Sequence, residues 1–197
     1  MSKLSKLAQR GATLLELMVT LMVAAILMAT GLPAMSDWIK RSSVGTAAEL
    51  IQNALRQAET EAIRRNAEVE FALTDDTPAA SAVNTITAKD NGKNWLIRVV
   101  DTTASNRYVN GNMTKQLSDG LSYQGPASIR FNGSGRVLDS TGAAVSAKQV
   151  FRVSRSGIDL AYCVFVTPGG GVKMCNPAFP SGNVRACQPI LTAAECP

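Results

Sequence analysis

Chemistry needs particular side chains at particular spacings, and this chain of 197 residues offers few of them. It has no His, which removes His-based triads, His-ligated zinc or haem, and the usual general base near neutral pH. The carboxylates Glu59 and Glu61 read as part of a solvated helix face, and Asp75-Asp76 as the start of a turn, not as an acid–base dyad. No nucleophile stands beside a base. The sequence therefore predicts no catalytic residue, no metal site, no cofactor and no enzyme. Two features remain. Cys163, Cys175, Cys187 and Cys196 all lie near the C-terminus without a C-x-x-C pair, which predicts disulfides in a translocated domain. The other is Glu16, the only charge in the apolar run 14–32.

That run, LLELMVTLMVAAILMATGL, just spans a hydrocarbon core of ~30 Å as a helix rising ~1.5 Å per residue. Ahead of it, residues 1–10 carry Lys3, Lys6 and Arg10 and no acid, a leader that keeps its end in the cytoplasm. A secretory signal cut near 29–31, or a plain signal anchor, would account for the apolar run. Neither accounts for a carboxylate inside it, which is costly there and usually functional.

The boundary Arg10-Gly11-Ala12-Thr13-Leu14-Leu15-Glu16 resembles the class III signal of type IV pilins and pseudopilins. The resemblance implies cleavage by a prepilin peptidase between Gly11 and Ala12, with N-methylation of Ala12, where the family most often has Phe. It also implies that Glu16 is an assembly carboxylate, paired with a neighbouring subunit's N-terminal amine. The physics agrees, because either charge left alone in a low-dielectric filament core would be strongly unfavourable. Gly31 and Pro33 interrupt the apolar helix and predict a kink or melted turn, since Pro lacks the backbone donor.

These groups need elements to place them. Val44, Ala47, Ala48, Ile51, Ala54, Leu55, Ala58, Ala62 and Ile63 recur at helical spacing, predicting an amphipathic helix over 36–67 with one core-facing stripe. Beyond it, short β-rich runs at 69–73, 83–87, 95–100, 128–132, 149–153 and 161–166 alternate with turn material that includes Asn91-Gly92, Asn110-Gly111 and Asp119-Gly120. The predicted fold is α+β, the pilin fold: a long N-terminal helix, half transmembrane and half amphipathic, packed on one antiparallel β-sheet head. The segments are a leader over 1–11, the membrane and filament-core half of the helix over 12–35, its amphipathic half over 36–67, the head over 68–175 and a tail over 176–197. The hairpin Ile129-Arg130-Phe131-Asn132-Gly133-Ser134-Gly135-Arg136-Val137 resembles the GspH/FimT/FimU branch of minor pilins and pseudopilins, as does the closing pair over 164–175.

Four cysteines allow three pairings. Cys163 and Cys175 flank the turn at 168–171 almost symmetrically and should face each other across a hairpin, so Cys163–Cys175 with Cys187–Cys196 is the expected set. The second bridge would resemble the disulfide-bounded C-terminal loop of many pilins.

By this resemblance the chain is a FimU/FimT-like minor pilin that helps prime pilus assembly or joins the shaft to a tip complex. A GspH-type pseudopilin of type II secretion is the alternative. The implied partners are other major and minor pilins, the prepilin peptidase, the inner-membrane assembly platform, and the membrane itself before assembly. The implied location is the bacterial inner membrane, single-pass with the head in the periplasm, and then the filament. A third reading is DNA capture, which some FimT-type pilins perform through Gly-Arg-x-Arg. Here Gly170-Gly171-Val172-Lys173 and Gly182-Asn183-Val184-Arg185 each keep one of the two cations, and Arg152 and Arg155 are the residues that would join Lys173 and Arg185 on phosphates. The formal net charge of +5 becomes +2 once 1–11 are removed, with 12–97 at −3 and 98–197 at +5.

Overall fold

In the computed structural model of the chain, residues 13–188 and 196 are described, the side chains of 30–34 excepted. The leader, the cleavage residues Gly11 and Ala12, and 189–195 lie outside them. Helix α1 runs Leu14–Arg65. Its backbone is helical through Gly31 and Pro33, so the melted turn is not found there. It stops in a Schellman arrangement: the Ala67 N–H donates to Ala62 C=O and the Asn66 N–H to Ile63 C=O, at 3.2 Å each. Asn66 supplies the left-handed residue, φ 48°.

The chain divides into two compact units between Ile39 and Lys40. In the first, the described residues are helical from Leu14 on, and Leu14, Leu15, Leu17, Met18, Val19, Leu21, Met22, Val23, Ile26, Leu27 and Met28 are exposed. Among the described residues, no helix is long and apolar enough to cross a membrane.

The second unit holds the core. Its strands are β1 Val69–Thr74, β2 Asn94–Val99, β3 Tyr108–Met113, β4 Leu121–Gln124, β5 Ser128–Phe131, β6 Val137–Leu138, β7 Gln149–Arg155, β8 Ala161–Val166 and β9 Val172–Cys175, with a short helix α2 at Thr114–Leu117. They form two antiparallel sheets, β3-β2-β1-β5-β6 and β4-β7-β8-β9, where one was expected. The helical stripe packs with Phe71, Trp95, Ile97 and Phe131 of the first sheet and Phe151, Val153, Val164 and Val166 of the second. Phe71 meets the Phe151 ring edge-on at 5.3 Å, joining the two across the core. Every predicted stripe residue is buried except Ile63, which is about half exposed.

Two further expectations fail for definable reasons. Residues 83–87 form no strand. Val83 and Ile86 instead cover the outer face of the first sheet, Ile86 packing with Ala72 and Leu96. Their carbonyls accept from Arg98 Nη1 at 3.1 and 2.8 Å, in place of a ladder partner. Asn110-Gly111 is no turn but the middle of β3. A Cβ on Gly111 would come within 2.6 Å of Pro78 Cβ and 3.1 Å of Trp95 C=O, so the glycine serves close approach.

Candidate functional site

Glu16 lies exposed in the first turn of α1, where a carboxylate also complements the helix dipole. Thr13 Oγ1 accepts from the Glu16 N–H at 3.3 Å, and the Leu17 N–H donates to Thr13 C=O at 3.1 Å. Thr13 is thus the helix N-cap and Glu16 its third residue, the positions of a capping box. Thr13 is not among the predicted residues, yet its Thr-x-x-Glu spacing to Glu16 is legible in the sequence.

At the other end of α1, the hairpin that carries the branch resemblance has a mechanical job. Asn132 Oδ1 accepts from the N–H groups of Ser134 and Arg136, closing the turn at 132–136. The Val137 N–H donates to Pro168 C=O at 3.1 Å, which ties this turn to the one between β8 and β9. A Cβ on Gly170 (φ +95°) would fall 2.3 Å from Gly135 C=O and 2.6 Å from Glu59 Oε1. Glu59 is therefore half-buried over two glycine turns, not on a solvated face. Burial lifts its pKa above the usual carboxylate range, against an opposing pull from Arg56. Glu61 differs: its hydrogen bonds to Arg64 and Arg65, at 2.6 and 2.7 Å, lower its pKa.

All four cysteines converge with Phe165 in one cluster on the outer face of the second sheet. The bridges are Cys163–Cys196 and Cys175–Cys187, correcting the expected pairs. Cys163 and Cys175 do stand opposite each other in register. Facing Cβ atoms on neighbouring strands are ~4.5–5.5 Å apart, longer than the ~3.8 Å that a bridge favours. The tail passes over this face, and each strand cysteine takes a tail cysteine. The Asn176 N–H donates to Arg185 C=O at 2.8 Å, which turns the tail back and sets Cys187 beside Cys175, Cα atoms 4.8 Å apart.

The four candidate phosphate-binding cations do not gather. Arg152 and Lys173 face Cys163 and Phe165 respectively, on the outer side of the sheet. Arg152 donates to Gln124 Oε1 at 3.0 Å. Arg155 lies on the opposite side, with Phe151 and Val153, and donates to Ser43 Oγ of α1 at 2.8 Å. Arg185 sits on the tail beside Gly45, Glu49 and Tyr162. With the four cysteines taken up in disulfides, no group of three His, Cys, Asp or Glu among the described residues is placed to hold a metal ion.

A helix that opens on an apolar segment and ends in an antiparallel two-sheet unit defines a pilin-class subunit. The family model for the type II transport protein GspH matches residues 47–170, and that for the prokaryotic N-terminal methylation motif matches 6–32. The chain belongs to the GspH family, as a minor pilin or pseudopilin. Its fold is similar to that of the type IV minor pilin FimU of Pseudomonas aeruginosa, with TM-score 0.52 and 16% identity over 74% of this chain and 95% of that one. The minor pseudopilin EpsH of the Vibrio cholerae type 2 secretion system matches at TM-score 0.48 and 13% identity, over 70% of this chain and 99% of its own. No curated protein matches the chain.

Proposed function

We propose that the chain is a minor pilin of a type IV pilus, a structural subunit that helps prime assembly or links the shaft to a tip complex. The observation that carries this is the pairing of a methylation motif over 6–32 with an exposed Glu16 on an otherwise apolar helix. In this reading the prepilin peptidase cuts after Gly11 and Ala12 is methylated. The helix rests in the inner membrane with the head in the periplasm, then passes through the assembly platform to other pilins. Glu16 neutralises the N-terminal amine of a neighbour in the filament core. The GspH match equally suits a pseudopilin of type II secretion, and recovery in sheared pili separates the two. DNA capture gains no support from cations divided between two faces of a sheet.

Glu16 has two possible jobs, and two substitutions separate them. Glu16→Gln keeps a side chain suited to the capping box but loses the charge; Glu16→Ala loses both. Both variants are expected to be cleaved after Gly11 and to stay in the membrane. Both should enter filaments beside wild-type subunits at least roughly tenfold less often, because an uncompensated buried charge costs several kcal/mol. Quantitative blotting of sheared filaments reads this. Wild-type incorporation of Glu16→Gln would reduce Glu16 to a helix cap.

A further inference from the structure

The exposed apolar surface of the first unit does not end at Met28. Met35, Trp38 and Ile39 are 60%, 68% and 53% exposed, and their spacing of three and four residues puts them on one face of α1. Ser36 and Asp37 turn away from that face. This patch is not the start of the core stripe. Met35, Trp38 and Ile39 stand nine residues before Val44, Ala47 and Ala48 respectively, about two and a half helical turns, so the two sets are out of phase.

Trp38 selects what covers the patch. An indole joins a large apolar body to one N–H donor, and it is enriched where hydrocarbon gives way to polar headgroups. The only other tryptophan, Trp95, is 3% exposed and stacks on Phe71 with ring centroids 6.0 Å apart, as part of the core. Trp38 has no ring partner among the described residues. Its height on the helix fits the same layer. Leu14 to Ala29 rises about 24 Å, short of a hydrocarbon core of ~30 Å, so the far edge of the core falls among the residues that follow. Trp38 is 22 positions beyond Glu16, about 33 Å of helix, or ~31 Å at a tilt of ~20°. With Glu16 at the cytoplasmic edge of the core, Trp38 reaches the periplasmic headgroup layer, which adds about 5–7 Å on each side.

We propose that the face of Met35, Trp38 and Ile39 docks in the periplasmic headgroup layer of a lipid bilayer, with the Trp38 ring as the anchor. The placement leaves Glu16 at the opposite edge, where a carboxylate is hydrated more easily than at the bilayer centre. It rests on the reading of α1 as membrane-borne before assembly, and adds the depth at which the helix sits.

The test uses the full chain in phosphatidylcholine vesicles whose acyl chains carry bromine either near the headgroups or near the bilayer centre. Subtracting the fluorescence of Trp38→Phe from that of the wild type isolates Trp38, and the exposure of the site leaves the fold of the variant intact. The bromines near the headgroups should quench Trp38 at least about twofold more than the central ones. Flotation with the vesicles tests the membrane reading by itself; a chain that fails to float overturns that reading, and this inference with it. In a chain that floats, equal quenching by the two lipids, stronger quenching from the centre, or none at all overturns the docking of Trp38 while the membrane reading stands. Quenching that is lost as the protein-to-lipid ratio rises would overturn it in favour of a second copy of this chain.

Discussion

Gly170 and Glu59 concentrate the tension between packing and charge. Gly170 has φ +95° and no room for a side chain, whereas Gly157 has φ +80° and nothing within 4 Å of a built Cβ. A left-handed non-glycine residue costs roughly 1–2 kcal/mol. Gly157→Ala should lose about that much in a urea unfolding curve. Gly170→Ala should lose clearly more, because Gly135 C=O or the Glu59 carboxylate must also move; equal losses would show that the two turns do not pack on the helix as described. Glu59 itself carries a pH signature. Its pKa is raised in the folded chain by burial, so the folded state binds the proton more tightly than the unfolded one. Stability on this account is complete below the ordinary carboxylate pKa and falls as pH rises through the raised value. Glu59→Gln should therefore be more stable than wild type at neutral pH and gain no such advantage in acid. A gain that did not depend on pH would point to altered packing instead.

At the scale of elements, the segment over the outer face of the first sheet is held by two guanidiniums, Arg98 on the carbonyls of Val83 and Ile86 and Arg107 on Asn84 Oδ1. Arg98 Nε donates to Glu70 Oε2 at 2.7 Å, both side chains being largely buried, and its Nη1 holds two carbonyls of the covering segment. Arg98→Met would strand Glu70 in that interior, which costs about 3–5 kcal/mol for a broken buried pair. Amide exchange should accelerate through the segment from Val83 to Ile86, while the double variant with Glu70→Leu recovers much of the loss. Slow exchange there in Arg98→Met would show that the segment is seated without Arg98, by its apolar contacts together with Arg107 on Asn84 and Asp76 on Thr87. This segment also marks where sequence reading fails. Val83 to Thr87 has strand composition, but the N–H groups of Thr85 and Ile86 turn back to Ala82 C=O and the carbonyls of Val83 and Ile86 are taken by Arg98, a side chain on another strand that no local pattern points to. Asn110-Gly111 misleads for the opposite reason, since a dipeptide typical of turns is used for close packing inside a strand. The helix stripe from Val44 to Ala62 was readable because its period is set by the helix itself and one face must be buried. The split into two sheets was not, because pairing partners lie far apart along the chain.

Across the whole molecule, the sequence placed the chemistry at the two ends and sheet between them. For the N-terminal end the signal was an isolated carboxylate in an apolar run, whose assembly role is the one proposed above. For the C-terminal end, composition sufficed for disulfides but not for their pairing, which depends on where the tail lies over β8 and β9. The observed bridges close sequence separations of 33 and 12 residues. By loop entropy they remove roughly 4 and 3 kcal/mol of freedom from the unfolded chain. That matters for a tail whose residues from Pro177 to Arg185 are exposed nearly throughout and bury little of their own. A tryptic digest separates a tail bridged to both strands from a tail bridged to itself. Trypsin cuts after Arg155, Lys173 and Arg185, leaving Cys163 in 156–173, Cys175 in 174–185, and both Cys187 and Cys196 in 186–197. With Cys163–Cys196 and Cys175–Cys187, non-reducing mass spectrometry should find one species of three linked peptides. With Cys163–Cys175 and Cys187–Cys196 it would find a two-peptide species and a separate, internally bridged 186–197. The three-peptide species is expected because a tail anchored at both strands, and not looped on itself, is what keeps it over the face that Cys163, Phe165 and Cys175 share.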